Sequence, residues 1–179
     1  MKTKSKVLAA CFFFCMAIGS SEAKMIDAQS TLEIISTVNA IGTAADSKDW
    51  KKCLAQFDEE VFIDYSALTG IAGARLKAKD LIDAWAKVLG PVHMTQHMIT
   101  NHEVQISGKD AMVTSYVSAM HSHPVKSGED YWLLLGKYKH KLRREKEGWK
   151  VVSMKLTPTY QSGNKKLLEE VGKENRNNK

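Results

Sequence analysis

The sequence predicts an α+β fold, and three observations support this class. Apolar residues at helical spacing are concentrated in the first half of the chain, whereas long alternating segments fill the second half. Helices followed by a run of hairpin-linked strands are typical of α+β domains. The 179 residues include only 3 prolines and 11 glycines and are 44% hydrophobic, which excludes collagen-like and wholly disordered chains. We expect one domain.

The first 23 residues have the layout of a secretory signal peptide. A basic segment (Lys2, Lys4 and Lys6) precedes an apolar run at residues 7–19, and small residues stand at Ser21 and Ala23. The run of about 13 residues is too short to span a bilayer comfortably. We therefore expect cleavage after Ala23, a secreted or periplasmic protein, and no stable membrane insertion after cleavage. An uncleaved anchor remains an alternative.

Cysteine usage follows from this cleavage. Cleavage after Ala23 would remove Cys11 and Cys15 and leave Cys53 as the single cysteine of the mature chain. Neither an internal disulfide nor a cysteine-zinc cluster is therefore expected. Cys11 follows Leu-Ala-Ala, which resembles a lipoprotein acceptor sequence, so lipidation is the second alternative. Cys53 lies at helical spacing with apolar neighbours, which favours a buried side chain.

The helices are predicted from caps and periodicity. A capping-box pattern at residues 30–33 predicts that the first helix begins there, and Asp46 ends it. We expect a short second helix at residues 49–57, a strand at 61–65, and a third helix at 78–89. A Gly-Pro pair at residues 90–91 stops that third helix.

Four long strands are expected after the proline. Alternation and turn residues place them at residues 93–106, 111–123, 131–144 and 149–161. A strongly curved antiparallel or mixed sheet wrapped around three N-terminal helices would form a cone-like barrel and enclose a cavity. We therefore expect a folded domain over residues 24–163 and a polar tail, at most a fraying helix, over residues 164–179.

Basic residues alternate along the third long strand (Lys137, Lys139, Lys141 and Arg143). This period places every charge on one face and the apolar residues on the other, which a solvated outer face explains. No RNA- or DNA-binding motif accompanies the stripe, so no nucleic-acid partner is expected. Electrostatic attraction to anionic lipid or an envelope polymer remains open.

Motifs for cofactor, serine or metal chemistry are absent from the sequence. It has no phosphate-binding glycine loop, no GxSxG and no HExxH. His121 and His123 could chelate a metal from one strand face, but no third ligand stands at a convincing spacing. We interpret both as surface histidines and expect no metal and no cofactor.

One set of short motifs resembles the SnoaL-like (polyketide-cyclase-like) family of the nuclear transport factor two-like superfamily. The similarity covers residues 32–156, most of the mature chain. It consists of Asp46 with Phe57 eleven residues later, Asp-Tyr-Ser at 64–66, Thr-Gln-His-Met-Ile-Thr-Asn-His at 95–102, Gly-Lys-Tyr-Lys-His at 136–140 and Gly-Trp-Lys-Val at 148–151.

The resemblance implies a cone-like α+β barrel with a hydrophobic cavity, often dimeric through the sheet. In relatives such as hexachlorocyclohexane dehydrochlorinase and scytalone dehydratase, an Asp–His pair abstracts a proton for elimination, and Asp46 and His97 stand at matching positions. A histidine near its ordinary pKa can accept a proton, and a carboxylate can orient it. Tyr65 could donate a hydrogen bond to a substrate oxygen. No match is present for the dehydrochlorinase's further arginine and lysine.

Large side chains expected on inward faces complete the predicted cavity (Trp85, Asn101, Tyr116, Met120, Tyr131, Tyr138 and Met154). Such a cavity would bind a small hydrophobic molecule. Two function classes stay open: a lyase or isomerase, and a non-catalytic binding module for a ligand or protein. In the second, Asp46 merely caps the second helix and His97 is a satisfied core histidine. A homodimer through an apolar patch at Val113, Val117 and Ala119 is also expected, although the basic stripe opposes it.

Overall fold

The computed structural model describes residues 7–126 and 128–177, with side chains from residue 27 to residue 176. The elements follow one another as α1 (Val7–Asp46), α2 (Trp50–Leu54), β1 (Phe57–Asp64), α3 (Ser66–Thr69), β2 (Ala74–Lys77), α4 (Ala78–Leu89), β3 (Met94–Ser107), β4 (Asp110–Ser122), β5 (Tyr131–Glu145), β6 (Gly148–Gly163) and α5 (Leu167–Asn177).

All six strands form one sheet in the order β2-β1-β6-β5-β4-β3. Only the β1–β6 pair is parallel, and the other neighbours are antiparallel. The two ends of this order, β2 and β3, do not pair, so the sheet is curled but not closed. The predicted α+β class and mixed, curved sheet are confirmed.

The core lies between the inner face of the sheet and the helices. From α1, Ile34, Val38 and Ile41 are buried against this face. The odd-numbered residues of β4 face the same core, so Val113, Val117 and Ala119 are buried (0%, 3% and 4% exposed). The expected dimer patch was therefore wrong, because these side chains pack against the protein's own interior. The homodimer itself stays a prediction.

The basic stripe lies where it was expected. All four residues of the stripe (Lys137, Lys139, Lys141 and Arg143) are exposed on β5, and the residues between them (Tyr138, His140 and Leu142) are buried. Lys137 also places its ammonium 5.4 Å from the ring centre of Tyr116 on the neighbouring strand. This is the outer face of the sheet.

The helix caps differ from the prediction in one respect that matters for the site. The first helix extends through the predicted capping box, and the Ser30 hydroxyl accepts a hydrogen bond from Arg144 Nη1 at 2.9 Å instead of capping it. Asp49, not Asp46, caps α2, since the Lys52 N–H donates to Asp49 Oδ1 at 2.9 Å. Asp46 is therefore available for another partner.

The C-terminal segment is more ordered than a polar tail. It forms α5, whose Leu167 and Val171 are buried, because these two residues lie one turn apart on its apolar face. Asn164 Nδ2 donates to Glu170 Oε2 at 2.8 Å, which ties the preceding turn to the helix. This helix is part of the folded unit.

The structure describes only part of the segment predicted to be a signal peptide. The basic segment at residues 1–6 lies outside the described residues, and the apolar run forms the beginning of α1. Within the described part of the chain, no helix combines the length and the apolar character needed to cross a membrane.

Candidate functional site

Asp46 and His97 meet where the end of α1 crosses β3. The Asp46 carboxylate makes two contacts with one residue: Oδ2 accepts the His97 backbone N–H at 2.7 Å, and Oδ1 lies 2.7 Å from His97 Nδ1. The side chains are 19% and 11% exposed, respectively. The carboxylate thus fixes both the backbone and the ring of the histidine.

Local sequence explains this crossing. Gly42 lies one helical turn before Asp46, and a Cβ atom there would be 3.0 Å from His97 Cβ. The missing side chain therefore lets α1 approach β3 closely. Lys48 then adopts a left-handed conformation (φ 59°) just after the helix, and its Nζ donates to Thr95 Oγ1 at 3.0 Å.

The charge state of the pair follows from these contacts. Burial by itself would raise the pKa of Asp46, but the hydrogen bonds from the His97 side chain and backbone outweigh it and hold the pKa below its ordinary value. Burial lowers the pKa of Lys48, against the opposing effect of the Asp46 carboxylate. Asp46 is an anion at neutral pH.

A cavity of about 480 Å³ opens beside His97. It lies between α1, α4 and the inner face of the sheet, and Leu168 of α5 also lines it. Most of its lining is aliphatic or aromatic, so water in the cavity has few hydrogen-bonding partners. An apolar ligand that displaces this water would be favoured.

Five residues predicted for the site line this cavity: Tyr65, Trp85, His97, Tyr138 and Met154. The Tyr65 hydroxyl makes a weak contact with the Met154 sulfur at 3.8 Å, and the Trp85 side chain also hydrogen-bonds to it. Burial raises the pKa of Tyr65 well above its ordinary value, so the phenol remains protonated and can donate. Asp46 lies behind His97 and does not line the cavity itself.

Four predicted ligand-binding residues do not line the cavity, and placing them there was wrong. Tyr116 and Met120 are even-numbered residues of β4 and lie on its outer face, where Tyr116 is 50% exposed. Tyr131 precedes the buried Trp132 and points to the opposite face of β5. Asn101 is exposed at the β3 bulge, with φ 55°. Successive side chains of a strand point to opposite faces, so an error of one residue in the predicted phase assigns every side chain to the wrong face.

His121 is the main residue that the sequence interpretation missed. It is 4% exposed, lines the cavity and stacks on Trp132 with ring centres 4.8 Å apart. Its ring meets the His97 ring edge-on at 5.6 Å. Treating it as a surface histidine was wrong, although its odd number, in phase with the apolar residues of β4, could have indicated burial.

Burial, followed by the neighbouring charge of His97, lowers the pKa of His121 to about 4. The ring is therefore neutral at pH 7, and its buried Nδ1 has no hydrogen-bond partner among the described residues. By contrast, His123 is partly exposed, with Nε2 3.8 Å from Glu174 Oε2. His123 follows the end of β4, and its Nδ1 accepts a hydrogen bond from the His93 backbone N–H at 3.2 Å.

His140 also lines the cavity and is completely buried. In the sequence it belongs to the Gly-Lys-Tyr-Lys-His motif at residues 136–140, in which no role was predicted for it. Within residues 7–126 and 128–177, no group of three or more potential ligand side chains is arranged to hold a metal ion.

Comparisons with known proteins agree with this architecture. The family model described as a SnoaL-like domain matches residues 27–155. The Kfla4162 protein from Kribbella flavida is 28% identical, with a TM-score of 0.76 over 80% of this chain and 99% of that one. No curated protein matches the chain.

Two more distant structures share the fold. A candidate scytalone dehydratase from Novosphingobium aromaticivorans is 18% identical, with a TM-score of 0.67 over 80% of this chain and 91% of that one. A type 2 hexachlorocyclohexane dehydrochlorinase is 15% identical, with a TM-score of 0.61 over 76% of this chain and 92% of that one.

Proposed function

The chain belongs to the family of SnoaL-like domains, and we propose that it is a cofactor-independent lyase or isomerase that takes a proton from a small hydrophobic molecule. The observation that carries the proposal is the 2.7 Å contact between Asp46 Oδ1 and His97 Nδ1 at the wall of an apolar cavity. Asp46 is the orienting group and His97 the base.

The geometry suits this division of roles. With Nδ1–H donating to the carboxylate, the lone pair of the His97 ring is on Nε2, the nitrogen left for a ligand. The negative charge of Asp46 stabilises the imidazolium that forms when Nε2 takes a proton. Because the same carboxylate also holds the His97 backbone, the ring is oriented before a ligand arrives.

The proposed reaction begins with a carbon–hydrogen bond of the ligand. Its proton moves to His97 Nε2, and its electron pair forms a carbon–carbon double bond. In a lyase, a group on the adjacent carbon leaves with its own bonding pair, taking up a proton if it departs as water. In an isomerase, the new double bond displaces the π electron pair of a neighbouring double bond in the ligand, and the imidazolium returns its proton to the carbon that receives this pair.

Two residues of the same cavity can stabilise oxygen charge during this reaction. The neutral His121 ring, 5.6 Å from His97 between ring centres, can hydrogen-bond to a leaving or carbonyl oxygen. Tyr65 lines the same cavity, and its protonated hydroxyl can donate a hydrogen bond there. Such preorganised donors act strongly where water is excluded.

The related structures support the reaction class. Dehydration and dehydrochlorination, the activities in the names of two distant neighbours, are both eliminations. Their identity to this chain is low, so the assignment of an elimination rests on the Asp46–His97 geometry. A non-catalytic binding module is the second candidate, favoured by the absence of matches for the dehydrochlorinase's further arginine and lysine.

We also propose that the protein is exported after cleavage following Ala23. The basic segment, the apolar run and the small residues before the cleavage point support this. N-terminal sequencing of the protein from envelope and secreted fractions should begin at Lys24. Full-length chain recovered only from the cytosol would contradict export.

The function is tested with molecules that copurify with the protein. Native mass spectrometry would identify them, and each would then be incubated with the protein in D₂O. We expect the wild type to release a leaving group from the ligand or to exchange a ligand proton for deuterium. The His97→Gln variant should react roughly 10²–10⁴-fold more slowly, which is the usual effect of losing a general base.

His102→Gln is the matched control. His102 also lies on β3 and is partly buried, but it contacts Asn39 Oδ1 at 3.0 Å and does not line the cavity. This variant should react like the wild type. A ligand that binds but neither reacts nor exchanges would instead establish the binding module.

A further inference from the structure

His140 is one of the residues around the cavity and carries an unused hydrogen-bonding group. Its side chain is 0% exposed, and neither Nδ1 nor Nε2 has a partner among the residues that the structure describes. A neutral imidazole always carries one N–H donor and one lone pair. Buried polar groups are nearly always paired, so this orphaned ring indicates a partner that comes from outside the chain.

The described residues around His140 provide no hydrogen-bonding partner for its ring. Val113 and Met154 are its neighbours across the sheet, and the Tyr138 ring is tilted with its centre 5.2 Å away. Burial, followed by the nearby charge of His102, lowers the pKa of His140 to about 3. The ring is therefore neutral at pH 7 and cannot attract an anion by charge.

His140 is separate from the catalytic end of the cavity. On β5, Trp132 lies opposite His121, and His140 lies eight residues further along the same strand, opposite Val113. Both histidines line one cavity. The cavity thus has two polar positions, at His97–His121 and at His140, with apolar and aromatic side chains between them.

We propose that His140 is a specificity-determining residue that binds a hydroxyl group of the ligand. The ligand would be a mostly apolar ring compound whose hydroxyl faces His140 while the reacting carbon faces His97. This inference names the substrate class of the proposed active site and rests on that cavity being the ligand site.

A hydroxyl is the best match for a neutral imidazole. It both donates and accepts, so it pairs with His140 in either tautomer. An ether can only accept, and a carboxylate would have to be buried as an unpaired charge. Ring compounds fit the aromatic lining, which includes Tyr65, Trp85 and Tyr138.

The test compares three probes by isothermal titration calorimetry: 1-naphthol, naphthalene and 1-methoxynaphthalene. We expect the wild type to bind 1-naphthol about 10-fold more tightly than naphthalene, the effect of one net hydrogen bond, and 1-methoxynaphthalene, which can only accept, no more tightly than 1-naphthol. His140→Leu should bind all three within about twofold of one another and retain its affinity for naphthalene. His102→Leu, a nearby histidine outside the cavity, should keep the preference.

A second measurement uses the wild type alone, so it does not depend on the folding of a variant. The side-chain ¹⁵N resonances of His140, assigned in the wild type by through-bond correlation to its backbone resonances, should shift with 1-naphthol and not with naphthalene. Equal binding of the three probes by the wild type, or a preference that survives in His140→Leu, would overturn the inference.

These outcomes are independent of catalysis. The probes need not react, so the hydroxyl preference can be present even if His97 removes no proton. Conversely, deuterium exchange that depends on His97 can occur without any preference at His140. Failure of one proposal is therefore distinguishable from failure of the other.

Discussion

Gly42 lies directly against His97: a Cβ atom on Gly42 would be 3.0 Å from His97 Cβ and 3.3 Å from Ile99 Cδ1. The closeness of α1 and β3 at this point brings Asp46, one helical turn later, within hydrogen-bonding distance of the histidine. A glycine with no side chain to take part in the reaction thereby sets the geometry of the acid–base pair.

Gly42→Ala should destabilise the protein and displace His97. Overpacking typically costs about 1–3 kcal/mol, which over most of this range is more than the ~1 kcal/mol that alanine gains over glycine inside a helix. Urea unfolding measures the change. Gly172→Ala is the control, since a Cβ on that α5 residue meets only Arg176 Nη1, at 3.8 Å. A Gly42→Ala variant as stable as the wild type would contradict the close packing.

Asp46→Asn should weaken stability most at neutral pH. The pKa of Asp46 is below its ordinary value, so the folded state favours the carboxylate, and this contribution is present above about pH 4 and is lost as the pH falls through the folded pKa. We expect a difference of about 1.5–3 kcal/mol at pH 7, typical of hydrogen bonds to a charged group, that shrinks below pH 4. A pH-independent difference in urea unfolding would argue against the ionised pair.

His121 and His140 should make the protein acid-sensitive. Their pKa values are lowered to about 4 and about 3 in the folded protein, so as the pH falls these two side chains take up protons in the unfolded chain before they do in the folded one. Stability should therefore be full above pH 6.5 and fall as the pH drops towards 4, by about 2 kcal/mol per histidine at pH 5. In His140→Leu the loss between pH 7 and pH 5 should be smaller by about that amount. An unchanged pH dependence would show that His140 is not buried in neutral form.

Helix α5 should stabilise the fold and close the cavity. Leu167 is fully buried, so Leu167→Ala should cost about 2–5 kcal/mol, as large-to-small core substitutions do. Lys173→Ala, on the exposed side of the same helix, should change stability by less than about 0.5 kcal/mol. Equal unfolding midpoints for the two variants would mean that the helix does not dock.

Much of the fold could be predicted from the sequence because its signals are local. The apolar period and the Gly-Pro stop define α4 at Ala78–Leu89 as predicted, and the four long strands lie within about two residues of their expected bounds. The early beginning of α1, the parallel β1–β6 pairing and the docking of α5 depend on tertiary contacts, which propensity and caps do not record.

The candidate site was only half predictable for the same reason. Asp46 and His97 came from a resemblance, and no spacing rule links residues 51 positions apart. The phase of β4 was misjudged because both of its faces carry large side chains. Tyr116 was expected in the cavity and is exposed, whereas His121 was expected at the surface and is buried. The bulge that displaces Asn101 changes the phase of β3 in mid-strand and has no clear sequence signal.

The most direct test of the central claim is the tautomer of His97, measured by side-chain ¹⁵N NMR at neutral pH and assigned by comparison with His97→Gln. The account predicts that Nδ1 carries the proton, that Nε2 is unprotonated and faces the cavity, and that Asp46→Asn reduces this preference. A ring protonated on Nε2 with a bare Nδ1 would contradict it, because such a ring could neither donate to Asp46 nor accept a proton from a ligand.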